Sequence, residues 1–370
     1  MKKLQNIAVL PGDGIGPEVI EQAVKVLDSI RSKYKHDWNY CYADIGAIAI
    51  DNHGDPFPAS TQESCVSSNA ILLGAIGDPK YDNDPKAKVR PEQGLLRMRK
   101  TLGLFSNIRP VKVNESLAHL SPVKQDRIEG VDFVIFRELT GGIYFGKKKK
   151  GDDFASDLCR YTKKEIKRVA KLAFEMAQRR NNKLTLIDKA NVLESSRLWR
   201  KIIRKMSKKY PEVTTEYLFV DNAAMQLILN PKQFDVVLCS NLFGDIISDE
   251  ASVLVGSLGL LPSASRGKKH SLYEPVHGSY PQAAGNDIAN PFATILSAEM
   301  MLRDFGLVDE ADDIQKAVTF CIENGIGTPD LGPSFSSSCS LVGDAVSILI
   351  EEGIHRIRID KFIQNVVTII

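Results

Sequence analysis

Short apolar runs alternate along this chain with longer stretches in which apolar residues recur every three or four positions, and that alternation points to an α/β fold. Residues 7–10, 70–75, 131–136, 184–188, 217–220 and 235–239 read as buried strands. Residues 17–31, 92–102, 163–180, 196–208 and 291–304 read as helices. Pro17 suits the opening of the first helix because its φ is already helical, and Glu18 complements the positive end of the helix dipole. A chain of 370 residues has room for two domains or one large one, and no repeat or low-complexity linker interrupts it.

The bulk numbers narrow the function classes. An apolar content of 43% supports a substantial core, and a net charge of +2 gives no reason to expect nucleic acid or a membrane as partner. The run 147–150 is four lysines without interleaved aromatics, which reads as a solvated loop or arm. Cys41, Cys65, Cys159, Cys239, Cys321 and Cys339 are scattered without a Cys-x-x-Cys pair, as in a protein with reduced thiols. The apolar stretch after the two opening lysines is too short for a secretory signal, so a cytoplasmic protein is expected.

The segment Asn241-Leu242-Phe243-Gly244-Asp245-Ile246-Ile247-Ser248-Asp249 carries the strongest chemical signal. Asp245 and Asp249 are four residues apart and share one helix face. Such a pair is either a solvated acidic face or part of a site for Mg²⁺ or Mn²⁺, which prefer oxygen ligands and relieve the repulsion between carboxylates. The apolar, glycine-rich flanks weigh toward the cation. Asp221, directly after the apolar run 217–220, is the natural third carboxylate.

Three arginines stand out: Arg99, Arg109, and Arg137 at the end of an apolar run. The guanidinium fork binds carboxylate in bidentate fashion, so together they suit a dicarboxylate, while each taken singly reads as a structural ion pair. Leu95 reads as an apolar wall beside such an anion site, and Leu96 as part of a core stripe. Tyr144 follows two glycines and is a candidate acid. Lys189 ends a strand and, near a cation, is a candidate base. His277, in Glu274-Pro275-Val276-His277-Gly278-Ser279, can stack on or hydrogen-bond to a flat ring. The opening Pro11-Gly12-Asp13-Gly14-Ile15-Gly16 lacks the G-x-G-x-x-G spacing of a dinucleotide fingerprint and reads as a tight strand-to-helix turn.

In combination, LPGDGIGPEV, LLGAIGDPK, RPEQGLLRMRK, RELTGGIYFG, DKANVLESSRLWR, NLFGDIISDEASVLVGSLGLLPSAS, EPVHGS and IANP resemble the β-decarboxylating dehydrogenase family, whose members act on isopropylmalate or isocitrate. The resemblance implies a two-domain α/β fold that is not a Rossmann fold, with a first domain of residues 1–103 plus 256–370 and a second, inserted domain of residues 104–255. It implies a homodimer with shared active sites, into which Lys189, Val192 and Asp221 reach from the other subunit. It further implies NAD-dependent oxidative decarboxylation of (2R,3S)-3-isopropylmalate to 4-methyl-2-oxopentanoate, a step of leucine biosynthesis. In that scheme Arg99, Arg109 and Arg137 hold the carboxylates, Asp221, Asp245 and Asp249 hold Mg²⁺ or Mn²⁺, Lys189 takes the hydroxyl proton and Tyr144 protonates the enolate carbon. Asp221 also touches substrate. Ile15, Glu92, Glu274, His277, Gly278, Ser279, Gln282, Ala289 and Asn290 fall to the cofactor.

Isocitrate-specific relatives carry polar residues near Leu95, whereas the hydrocarbon of Leu95, Leu96 and Val192 favours an isopropyl group. Its burial is worth about 2.4 kcal/mol, counted as roughly three methylene equivalents. Relatives that use NAD commonly carry an acid where this chain has Gln282, and NADP-using isocitrate relatives a Lys-Tyr pair that is absent here. NAD is therefore expected, with weaker discrimination than usual.

Overall fold

The chain's strands, in a computed structural model that describes residues 5–82 and 89–353, are β1 (Gln5–Gly12), β2 (Trp38–Tyr42), β3 (Ala70–Ala75), β4 (Ser106–Lys112), β5 (Asp132–Glu138), β6 (Lys148–Lys150), β7 (Ala155–Asp157), β8 (Lys183–Asp188), β9 (Thr214–Phe219), β10 (Val236–Cys239), β11 (Pro262–Arg266) and β12 (Ser271–Pro275). Helices connect most of them, giving a mixed α/β architecture. The chain divides into two units. One takes everything up to Leu102, then Ser257–Ala264 and the chain from Lys269 onward. The other takes Gly103–Gly256 and Ser265–Lys268.

In the first unit β1 lies between β2 and β3, parallel to both, and β12 is parallel to β3. Parallel strands are covered on both faces, so they read as unbroken apolar runs. Ile7, Ala8, Val9 and Leu10 are wholly buried, and so is every residue of β3. The helices Gly16–Tyr34 and Cys339–Glu352 pack together, which ties the late part of the chain to its beginning. Lys25 Nζ meets Asp344 at 2.6 Å, and Ser29 Oγ donates to Glu351 at 2.8 Å.

In the second unit β4 is antiparallel to β5, and β5, β10, β8 and β9 follow as parallel neighbours. The helix Lys163–Arg179 opens with a reciprocal cap: Thr162 Oγ1 accepts from the Glu165 amide, and Glu165 accepts from the Thr162 amide. Ile166, Val169, Ala170, Ala173, Phe174 and Ala177 recur at helical spacing and are buried, so this face packs on the sheet. Phe174→Ala would remove a wholly buried ring at a cost of about 3–5 kcal/mol.

Three sequence expectations change. The strand expected at 217–220 stops at Phe219, and Val220 opens the helix Val220–Leu229, so Asp221 sits in a helical first turn. Leu96 is not part of a core stripe: it is 45% exposed, because the helix Pro91–Thr101 turns Pro91, Gly94 and Met98 inward. β2, β4, β6, β7, β11 and β12 form where no strand was expected, since β2, β6 and β7 are exposed in part or throughout and β4, β11 and β12 contain proline.

The lysine run forms an exposed arm, with β6 paired antiparallel to β7. All six cysteines are unbonded. Among the described residues no helix is long and apolar enough to cross a membrane. The apolar ending 366–370, which invites packing on the body or on another subunit, lies outside the described residues.

Candidate active site

The second unit gathers the candidate chemical groups around the helix Asn241–Ser252, which follows β10 directly. Asp245 and Asp249 lie one turn apart on it, and each meets an arginine from a strand. Arg137, buried on β5, donates from Nη1 to Asp245 Oδ1 at 2.6 Å. Arg109, on β4, donates from Nη1 to Asp249 Oδ1 at 2.8 Å and to Ser248 Oγ at 2.7 Å, while its Nε donates to Asn107 Oδ1 at 2.8 Å. Tyr144 Oη donates to the other oxygen of Asp245 at 2.8 Å. Lost solvent, then the hydrogen bond and negative charge of Asp245, push the Tyr144 phenol up, which keeps it protonated. Asp245 thus receives a cation and a proton donor together.

Glycines make this closeness possible. A Cβ on Gly244 would lie 2.7 Å from Arg137 Cγ, so only a bare backbone lets the arginine shaft lie along the first helical turn. Gly142 has φ +77°, and a Cβ there would lie 2.3 Å from Tyr161 Oη. Tyr161 Oη accepts from the Asn241 amide at 2.8 Å, and Asn241 Nδ2 donates to the Gly141 carbonyl at 3.1 Å. Glu138, fully buried, accepts from the Gly141 and Thr140 amides and from Arg168. Neither Glu138, Tyr161 nor Asn241 was singled out from sequence. The one available signal was the Gly141-Gly142 pair, which requires something to lie against it.

Lys189 follows β8, and its Nζ meets Asp221 Oδ1 at 2.7 Å. That ammonium holds the Asp221 carboxyl below its usual range although the side chain is exposed. The Lys189 carbonyl accepts from the Val192 and Leu193 amides, which folds the loop back, and Val192 stands 62% exposed. Among the described residues of one chain, no three Asp, Glu, His or Cys side chains come close enough to hold a metal ion. Asp221 therefore does not join Asp245 and Asp249 within a single chain.

The first unit brings together several of the residues expected to meet a cofactor. The turn after β1 packs on backbone: a Cβ on Gly12 would lie 1.9 Å from the Ala75 carbonyl oxygen, and one on Gly14 2.0 Å from that of Ser279. The Ile15 amide donates to the same Ser279 carbonyl at 2.8 Å. Asp13 stiffens the turn by accepting from the Ala47, Ile48 and Gly77 amides. Glu92 Oε1 and Ser279 Oγ both flank Gly77, where a Cβ would lie 3.2 Å from the first and 3.3 Å from the second. Ile15, Val19, Ala283, Ala289 and Cys339 form one apolar cluster, and the Gly285 amide donates to Glu18. Asn290 Nδ2 donates to Asp330 at 3.0 Å.

Gly278 has open space where a side chain would stand, and Gln282 is exposed. Burial holds the His277 imidazole below its ordinary value, so it is neutral near pH 7, and its Nε2 has no partner among the described residues. Arg99 pairs with Glu274 at 2.9 Å while its buried Nε has no hydrogen-bond partner among the described residues. Leu95 is half-buried on the same helix.

Residues 6–346 match the isocitrate/isopropylmalate dehydrogenase family model. The chain is 54% identical to 3-isopropylmalate dehydrogenase of Bacteroides fragilis over 88% of its length and 92% of that protein. It is 52% identical to the Bacillus licheniformis enzyme of that name, over 100% of this chain and 99% of that one. Among solved structures, isocitrate dehydrogenase from Methylococcus capsulatus superposes with a TM-score of 0.83 at 32% identity, covering 94% of this chain and 99% of that chain. A β-decarboxylating dehydrogenase from Thermococcus kodakarensis gives 0.80 at 34% identity, with 95% and 98% covered.

Proposed function

Because the chain belongs to the isocitrate/isopropylmalate dehydrogenase family, we propose that it oxidises and decarboxylates (2R,3S)-3-isopropylmalate to 4-methyl-2-oxopentanoate with NAD, as a cytoplasmic enzyme of leucine biosynthesis. The observation that carries the reading is the convergence on Asp245 of Arg137 and Tyr144. An anion holder and a proton donor beside a carboxylate are what decarboxylation of a 2-hydroxy diacid requires. The names of the curated relatives and the apolar side chain of Leu95 support isopropylmalate over isocitrate.

Asp245 and Asp249 would hold a hard divalent cation together with Asp221 of the partner subunit, since all three offer oxygen donors. Bound there, Mg²⁺ or Mn²⁺ supplies Lewis acidity to the substrate's C2 oxygen. The chain's own groups do the rest. Arg99, Arg109 and Arg137 hold the carboxylates, and with Asp249 and Asp245 engaged elsewhere the guanidinium edges of Arg109 and Arg137 turn to substrate. The partner subunit's Lys189 accepts the C2 hydroxyl proton, and NAD, when bound, would supply the hydride acceptor for C2. The C3 carboxylate then departs as CO₂, its bonding electrons passing into the C2–C3 enolate, and Tyr144 delivers a proton to C3.

The unpartnered, buried Nε2 of His277 and the open space at Gly278 suit a dinucleotide held by Ile15, Glu92, Glu274, Ser279, Gln282, Ala289 and Asn290. A homodimer explains two further features. Met225, Ile228 and Leu229 on one helix, and Ile246 and Val253 on or just after its neighbour, are exposed apolar side chains on packed elements of the second unit. A second copy would also supply the third carboxylate missing from a single chain.

The test is turnover of isopropylmalate, isocitrate, D-malate and tartrate, each with NAD and with NADP, followed by reduced-cofactor absorbance. Isopropylmalate with NAD should give the highest kcat/KM, by about tenfold or more. A higher value for isocitrate overturns the substrate assignment. Full-speed turnover after exhaustive chelation overturns the cation's role.

A further inference from the structure

We propose that Asn241 is the positioning residue for Arg137, turning the guanidinium so that its Nη1 edge faces Asp245 and an incoming substrate carboxylate. The proposal rests on the assignment of Arg137 to substrate. Asn241 is 1% exposed and engages Arg137 at several points. Its Oδ1 accepts from Arg137 Nε at 3.1 Å and from Nη2 at 3.0 Å, and its backbone carbonyl accepts from Nε at 3.1 Å. Two neighbouring donors of the guanidinium fork are thereby fixed on one amide oxygen. Nη1, on the far edge, meets Asp245.

The amide cannot turn over to present its nitrogen to the arginine. Asn241 Nδ2 is held by the Gly141 carbonyl at 3.1 Å, so the oxygen must face the guanidinium. The backbone below it is fixed too, because the Asn241 amide donates to Tyr161 Oη at 2.8 Å.

The chemistry of the residue matters as much as its place. An asparagine offers an acceptor without a charge, so Arg137 is oriented but keeps its full positive charge for an anion. A carboxylate in the same position would pair with the fork in bidentate fashion and neutralise it. It would also set a negative oxygen against the Gly141 carbonyl. A lysine at position 137 would have no planar fork for the amide to orient.

The experiment is a double-mutant cycle on the full-length enzyme, using N241A and R137K singly and together. Two quantities are read: KM and kcat for the 2-hydroxy diacid that the unsubstituted enzyme turns over best, and the dissociation constant of malonate, a dicarboxylate that does not react. N241A should raise both KM and the malonate constant about tenfold, with kcat within about threefold and NAD affinity unchanged. In the R137K background the same substitution should raise them by a factor at least threefold smaller, because the fork is already gone. An equal rise in both backgrounds overturns the proposal and leaves Asn241 as an anchor for its helix.

If N241A does not yield folded protein, N241S replaces it in the same cycle. It keeps a small polar side chain but withdraws the amide oxygen from the fork, so the same inequality is expected and an equal rise again overturns the proposal. The malonate readout separates this outcome from failure of the assigned reaction, since it needs no turnover.

Discussion

In the first unit the turn that carries Ile15, one of the residues assigned to the cofactor, hangs on backbone contacts. Gly12 and Gly14 press against the carbonyls of Ala75 and Ser279, Ile15 donates to Ser279, and Asp13 grips three amides. In the second unit the residues assigned to chemistry hang on paired charges: Arg137 with Asp245, Arg109 with Asp249, Lys189 with Asp221. The difference follows from what each must do. A cofactor site has to present one fixed shape repeatedly, and backbone packing gives shape without flexible side chains. A site that binds ions and moves protons has to exchange partners. Under the proposed function its acids and bases rest against each other and would part for a cation and a dicarboxylate of matching charge.

That contrast can be broken by substitution. The largest effect is expected in the charged unit, where Lys189→Ala and Asp245→Ala should each lower kcat by about 10²–10⁴. Heterodimers of the two inactive proteins should recover activity, since one of their two shared sites would be intact. No recovery in verified heterodimers would contradict sharing. Tyr144→Phe should follow, at about 10² in kcat. In single turnovers it should slow keto-acid formation more than the appearance of reduced cofactor, whereas equal slowing would remove Tyr144 from the proton-transfer role.

In the backbone-held unit, Gly12→Ala meets a carbonyl at 1.9 Å and a φ of +73°. It should cost about 1–3 kcal/mol in thermal unfolding, with a parallel loss of NAD affinity. Leu95→Ser should lower kcat/KM for isopropylmalate about tenfold while leaving malate within about twofold, and a uniform loss would undo the specificity argument. The smallest effect concerns His277. Burial keeps it neutral in the folded state, so the unfolded chain takes up the proton first as pH falls below about 6.5. Stability should decline from that pH downward, and His277→Asn should flatten the decline in denaturant titrations.

Much of the fold was legible because its signals are local. The apolar spacing of Lys163–Arg179 placed that helix to within one residue, and the unbroken apolar runs revealed β1, β3 and β10. β4 was hidden because Pro110 breaks its pattern, and it exists through pairing with β5, in which Arg109 lies opposite Ile135. Leu96 was misread because the inward face of its helix is set by Gly94. A Cβ on Gly94 would lie 2.4 Å from the Pro56 carbonyl oxygen, so the helix turns that small residue inward and Leu96 outward.

The sequence alone determined the layered α/β plan, the family and the inventory of acids, arginines, tyrosine and lysine, because each is written in short segments where spacing and residue type suffice. Only the tertiary structure decided who meets whom. Asp245 with Arg137 and Tyr144, Arg99 with Glu274, and Asn241 between Arg137 and Gly141 join residues about a hundred or more positions apart. Such meetings depend on which strands pair and how close two backbones can come. That closeness is set by bare glycines and buried contacts acting together, and no local pattern encodes it.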